Sequence, residues 1–166
     1  MGLYGCWNAW HLEGDGELGG MMNIERLIER IKDEEKFSPE SFWDLKQYTW
    51  GYGTKAPGPY RKISEREAEA FMVEHLEQCI RDYNDLFGKA GTPINEVRQE
   101  CLIDMIFNLG KEGVRGFRRM VEEINDDDGN DWADVALNAW DSKWSDQVKG
   151  RARRIVKELW TGVAAK

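Results

Sequence analysis

Long apolar runs are missing from this chain, so neither a membrane span nor a cleaved signal peptide is expected. Cysteine is scarce and odd in number, and Cys6, Cys79 and Cys101 are too scattered to suggest a disulfide framework. Cys79 and Cys101 sit in apolar helical contexts and read as reduced core residues. Histidine is limited to His11 and His75, which stand alone, and no ligand spacing points to a metal or any other cofactor. The acidic stretch from Asn125 to Asp131 lacks the glutamate that a calcium loop places six residues after its glycine. It reads instead as a solvated loop that caps a helix starting near Trp132. Basic residues do not prevail either: the net charge of −8 argues against a nucleic-acid partner.

What is present fits a soluble globular chain. Its 166 residues are 41% apolar and 33% charged, enough for one real core or for two small lobes that share a helix. The last segment is an exception to the acidic balance, since residues 143–166 hold seven cations against two anions, locally +5. If that segment lines a cleft, it offsets the global field for an anionic substrate.

The most informative run lies between residues 23 and 54. Asn23 is a fair N-cap, and Ile24, Leu27, Ile28 and Ile31 recur at the spacing of one helical face. At about 100° per residue, Glu35 falls in line with Ile31, Ile28 and Ile24, while Glu34 lies off that stripe. Desolvation and the negative helix end both disfavour an ionised side chain at Glu35, which suits a general acid. Taken alone, the helix also accommodates the commoner case of a C-terminal glutamate paired with a lysine.

The next stretch, Phe42 to Tyr52, is dense in aromatic residues and closed by Gly51 and Gly53, which favours a hairpin. A reversal at Lys46-Gln47 predicts Leu45 opposite Tyr48, Asp44 opposite Thr49 and Trp43 opposite Trp50. Opposed Cβ atoms lie about 5 Å apart, so Asp44 and Thr49 could hold one water between them. An acid at a helix end beside a second acid and a hydroxyl on a hairpin is a layout suited to cleaving a glycosidic bond.

Glu35, Asp44 and Thr49-Trp50-Gly51-Tyr52-Gly53 together resemble the phage-type lysozymes, the T4-type muramidases of glycoside hydrolase family 24. The resemblance implies that Glu35 is the proton donor, that Asp44 supports or activates the attacking water, and that Thr49 helps hold it. Two departures are visible. Four residues separate Asp44 from Thr49 where the best-known pattern has five, and Thr54 stands where the family often has a histidine.

The likeness extends from about residue 22 to residue 162. Ser64 and Glu67 form a capping box at the start of a helix that resembles the family's long connecting helix and stops at Gly88. At 1.5 Å per residue its 22 or so residues would span roughly 33 Å. Leu102 to Gly110 is similar to the buried central helix, and Trp132 to Trp144 with Gly150 to Arg154 matches the closing helices. By position, Phe107, Asn108 and Asn138 match residues facing the sugar cleft. Arg151 falls where the family has an arginine that reaches the catalytic glutamate, although one more cation in a basic run is an equal reading.

The expected fold is therefore α+β, mainly α: a lysozyme-like arrangement of a small hairpin lobe and a helical lobe joined by a long helix. In domain terms, residues 22–162 form the catalytic domain, with the small lobe at 22–63, the connecting helix at 64–88 and the helical lobe at 89–162. Residues 163–166 are a tail. Residues 1–21 alternate glycines with Tyr4, Trp7 and Trp10 without a period. They read as an aromatic accessory patch or, the preferred reading, as an extension upstream of a start at Met21 or Met22.

The implied function is an endolysin that hydrolyses the β-1,4 bond between N-acetylmuramic acid and N-acetylglucosamine in peptidoglycan, with inversion. It would be a monomer made in the host cytoplasm, depending on a holin to reach the wall in the periplasm. The alternatives are a lytic transglycosylase on the same bond and an inactive wall-binding or tail-associated module.

Overall fold

A computed structural model describes residues 22–91, 93–126 and 130–165. The readings for residues 1–21, which include Cys6 and His11, and for residues 127–129 of the acidic loop lie outside the described residues. The first helix, α1, spans Ile24–Glu35, and the Asn23 side chain accepts from the Arg26 amide at its start. Leu27, Ile28 and Ile31 are buried, as the helical phase predicts. Each such side chain contributes roughly 1.5–3 kcal/mol when fully withdrawn from water.

Three antiparallel strands follow in the order β1 (Ser38–Asp44), β2 (Gln47–Gly51) and β3 (Thr54–Lys55). Their register corrects the expectation. Asp44 pairs with Gln47, Trp43 with Tyr48 and Phe42 with Thr49, so Asp44 is not directly opposite Thr49. The cause is the turn, which closes at Leu45-Lys46 rather than at Lys46-Gln47. Leu45 takes a φ of 49°, and the Lys46 amide donates to the Asp44 carbonyl. The displacement is two residues, and side chains alternate with a period of two, so each keeps its face of the sheet. Asp44 and Thr49 therefore stay on one face as diagonal neighbours, while Trp43 and Tyr48 meet edge-on with ring centres 5.2 Å apart on the other face.

Helix α2 (Glu65–Phe87) opens with the capping box of Ser64 and Glu67 and buries Met72, Leu76, Cys79, Tyr83 and Phe87. The hairpin is fastened to it in two ways. The buried Tyr52 hydroxyl donates to Glu65 Oε1 at 2.8 Å. Burial, and then that contact, push the Tyr52 phenol up to about 12. Gly51, at a φ of 59°, lies so close to Ala68 that a Cβ on it would come within 2.7 Å of the Ala68 methyl.

Helix α3 (Glu96–Arg115) is the centre of the molecule, buried from Cys101 to Phe107 and broken at Gly110, whose φ is 74°. Helices α4 (Arg118–Ile124) and α7 (Gly150–Thr161) pack against it, while α5 (Trp132–Trp140) packs on α7 and α4, and α6 (Lys143–Val148) on α7 and α5. Asp131 caps α5 through the Ala133 and Asp134 amides, which is the capping role expected of the acidic loop. One apolar cluster runs from Leu27 and Ile31 through Met72 and Met105 to Ile155 and Leu159. Mainly helical with one small sheet, the chain is an α+β protein of the lysozyme-like type. No described helix is long and apolar enough to cross a membrane.

Candidate active site

Glu35 ends α1, and its side chain is the more covered of the two neighbouring glutamates, 22% exposed against 31% for Glu34. Partners separate the pair more sharply than exposure does. Arg151 Nη1 donates to Glu35 Oε1 at 2.6 Å, so the contact that the resemblance implied for Arg151 is present. The second oxygen, Oε2, lies against the backbone of Gly53, where a Cβ would stand 2.9 Å away. Gly53 has a φ of 79°, so the turn after β2 needs glycine both for its conformation and for this approach. One carboxylate oxygen is thus held by a cation and the other faces the sheet.

On that sheet Thr49 is 3% exposed, and its hydroxyl has no protein partner. A buried hydroxyl left without a hydrogen bond costs on the order of 1–3 kcal/mol. Asp44 sits at the exposed end of β1, diagonal to Thr49 on the same face. A bridging water is compatible with that offset and would lie between the two side chains along the strand rather than straight across it.

The three residues assigned to sugar binding fall on two surfaces. Phe107 is buried on α3, with its ring 4.5 Å from that of His75 on α2. Asn108 is exposed, and its Oδ1 accepts from Trp144 Nε1 at 2.8 Å. Trp144 and Asn138 line one hollow of about 560 Å³ with Phe117 and Arg119, which relates Asn138 to Asn108 through the indole. Asn138 itself donates to the Asp134 carbonyl at 2.8 Å.

His75 feels the negative charge of Glu35, so it is near the acid, and spacing alone did not single it out. Burial lowers its pKa and keeps the imidazole neutral at neutral pH. Asp104 is a second missed residue. It is 1% exposed on α3 and accepts from Arg151 Nε at 3.0 Å, from Arg151 Nη2 at 2.7 Å and from Arg154 Nη2 at 2.5 Å. A signal was available, because Asp104 is a lone acid in the otherwise apolar run from Cys101 to Phe107.

Behind Asp104 the pairing continues. Arg154 and Arg30 both reach Glu158, Arg30 and Arg26 both reach Glu100, and both glutamates are fully buried. Cys101 Sγ also donates to Glu158 Oε2 at 3.2 Å. Burial disfavours charge on Arg151, but Asp104 and Glu35 outweigh it and raise its pKa. Among the described residues, no cluster of three or more histidine, cysteine or acidic side chains is placed to hold a metal ion.

The chain is similar in sequence to several known proteins. The chain is 30% identical over 112 residues to the pre-baseplate central spike protein Gp5 of Enterobacteria phage T4, covering 66% of this chain and 19% of that protein. It is 24% identical over 102 residues to probable T4-type lysozyme 1 of Dictyostelium discoideum, covering 60% of this chain and 58% of the relative. Probable T4-type lysozyme 2 of the same organism is 22% identical over 103 residues, 61% of this chain and 59% of the relative. The chain thus spans less than two thirds of each of these relatives. The model of one family, phage lysozyme, matches residues 32–158. That span takes in α1 from Lys32, the sheet, α2 and nearly all the helices that surround α3, and the chain belongs to the phage lysozyme family.

Proposed function

We propose that this protein hydrolyses the β-1,4 bond between N-acetylmuramic acid and N-acetylglucosamine in bacterial peptidoglycan. The observation that carries the reading is the position of Glu35, whose carboxylate lies against Gly53 on the turn leading out of the strand that bears Thr49. Glu35 protonates the leaving glycosidic oxygen. Asp44 and Thr49 hold a water on the opposite face of the sugar, and its attack inverts the anomeric carbon. An inverting pair of carboxyls stands about 6.5–9.5 Å apart, leaving room for that water. Phe107, Asn108 and Asn138 serve the sugar from two sides, Phe107 beside His75 and Asn108 with Asn138 around Trp144. Arg151 holds Glu35 in orientation from behind.

In the cell the protein acts as an endolysin: a monomer made in the host cytoplasm, released to the wall in the periplasm with the help of a holin. A second reading is favoured by the likeness to a phage spike protein, namely a wall hydrolase built into the virion. Mass spectrometry of purified particles separates the two roles.

The chemistry is tested by digesting purified walls with the parent, Glu35→Gln and Asp44→Asn proteins and weighing the products. Hydrolysis yields reducing sugars, whereas a transglycosylase yields anhydro sugars lighter by one water. Both variants are expected to lose nearly all activity. Equal lysis by Glu35→Gln and the parent would falsify the mechanism, and no lysis by a folded parent would support an inactive binding module.

A further inference from the structure

Asp104 has no place in the reaction as described, yet it is the buried acid that shares Arg151 with Glu35. Arg151 and Arg154 project from one face of α7, three residues apart, and both end on this carboxylate. Its Oδ1 takes two N–H groups of Arg151 and its Oδ2 takes Arg154, so the two oxygens serve different cations. Arg151 is left with Nη1 directed at Glu35. A planar guanidinium has a rigid fork, so fixing its Nε and Nη2 edge fixes the direction of Nη1.

We infer that Asp104 is a positioning residue that governs the protonation of Glu35 through Arg151. Asp104 aims the Arg151 fork and offsets its charge, so Glu35 meets a shared cation rather than a full one. Arg154 acts in the opposite sense, because it draws on Asp104 and weakens that offset. Glu35 also faces His75 from α2 and is followed outward by Glu34, which reaches Arg154 at 3.5 Å. Asp104 also faces Cys79 on α2, and Cys101 and Glu158 lie beyond Arg154. None of these groups duplicates the Asp104 contact to Arg151.

The inference rests on Glu35 being the general acid, but its test does not need substrate. The Glu35 carboxyl carbon is followed by carbon-13 NMR across pH in the parent, in Asp104→Asn and in Arg154→Gln, its signal assigned by its loss in Glu35→Gln. Asparagine keeps an acceptor for Arg151 but removes the negative charge, so the Glu35 titration moves to lower pH. Arg154→Gln removes a cation, so the titration moves to higher pH. On walls, the alkaline limb of the rate profile moves in the same two directions, with kcat changing more than KM. A purely structural role for Asp104 lowers the melting temperature of its variant and moves neither curve. Titrations of the folded variants that superimpose on the parent overturn the inference. Should Asp104→Asn fail to fold, Arg154→Gln, which alters a partly exposed arginine, decides the matter alone. A parent that titrates as described but hydrolyses no walls counts against the proposed function and not against this coupling.

Discussion

The Glu35 carboxylate fills the space that a side chain on Gly53 would need: a methyl group on Gly53 would stand 2.9 Å from Glu35 Oε2. The contact ties the end of α1 to the turn after β2 and leaves the acid little freedom on that side. Gly53→Ala meets two penalties, the left-handed φ of 79° and displacement of the carboxylate. The first costs roughly 1–2 kcal/mol of stability. A displacement of about 1 Å at the acid costs about 100-fold in kcat. Chemical denaturation and wall-lysis rates measure the two separately, and a fully active Gly53→Ala would show that the contact has no part in orienting Glu35.

The Thr49 hydroxyl is buried without a protein partner, so it burdens the fold unless it serves the reaction. Thr49→Val keeps the side-chain shape and removes the unpaired group. Stability is expected to rise by roughly 1 kcal/mol while hydrolysis falls. Opposite signs in the two measurements identify a functional hydroxyl. A joint fall in stability and activity would mark it as a structural one.

The turn at Leu45 and Lys46 makes its own prediction. Leu45 is 89% exposed and holds a φ of 49°, so its side chain contributes no burial while its backbone is strained. Glycine is favoured at the first central position of a two-residue turn with positive φ there. Leu45→Gly should gain roughly 0.5 kcal/mol, the relief of strain less the added chain entropy. Leu45→Val should lose stability. The reverse order of melting temperatures would indicate that the chain reverses elsewhere.

His75 gives the fold a dependence on acid. Burial lowers its folded pKa, against the opposing influence of Glu35 and Asp82. As pH falls, the unfolded chain takes up this proton first. The group's full stability is therefore present above the ordinary histidine value of about 6.5 and is lost as pH drops through and below it. His75→Gln should flatten the decline of the melting temperature between about pH 7 and pH 5. Parallel curves for variant and parent would show that His75 does not titrate differently on folding.

Much of the site was legible because its parts are local. Helical phase set Glu35 on the buried stripe of α1, with Leu27, Ile28 and Ile31 beneath it. The caps at Asn23, Ser64 and Asp131 were readable because each side chain meets an amide two or three residues ahead. The hairpin was legible as a hairpin, but its register was not. The aromatic residues mark strands without marking the turn, and Leu45 lacks the glycine or asparagine that announces a positive φ. Asp104 was overlooked for a related reason: a single acid in an apolar helix reveals nothing of its partners, and Arg151 lies 47 residues away.

The amino-acid order by itself determined the helices, their caps, the presence of a hairpin and the candidacy of Glu35, since these depend on interactions within a few residues. Only the tertiary structure decided that Asp44 sits diagonal to Thr49, that Gly53 closes on Glu35, and that Arg151 is divided between Glu35 and Asp104. Arg151 meets Glu35 across 116 positions of chain. Such a contact exists only once the core around α3 has closed and the entropy of bringing those segments together has been offset by burial.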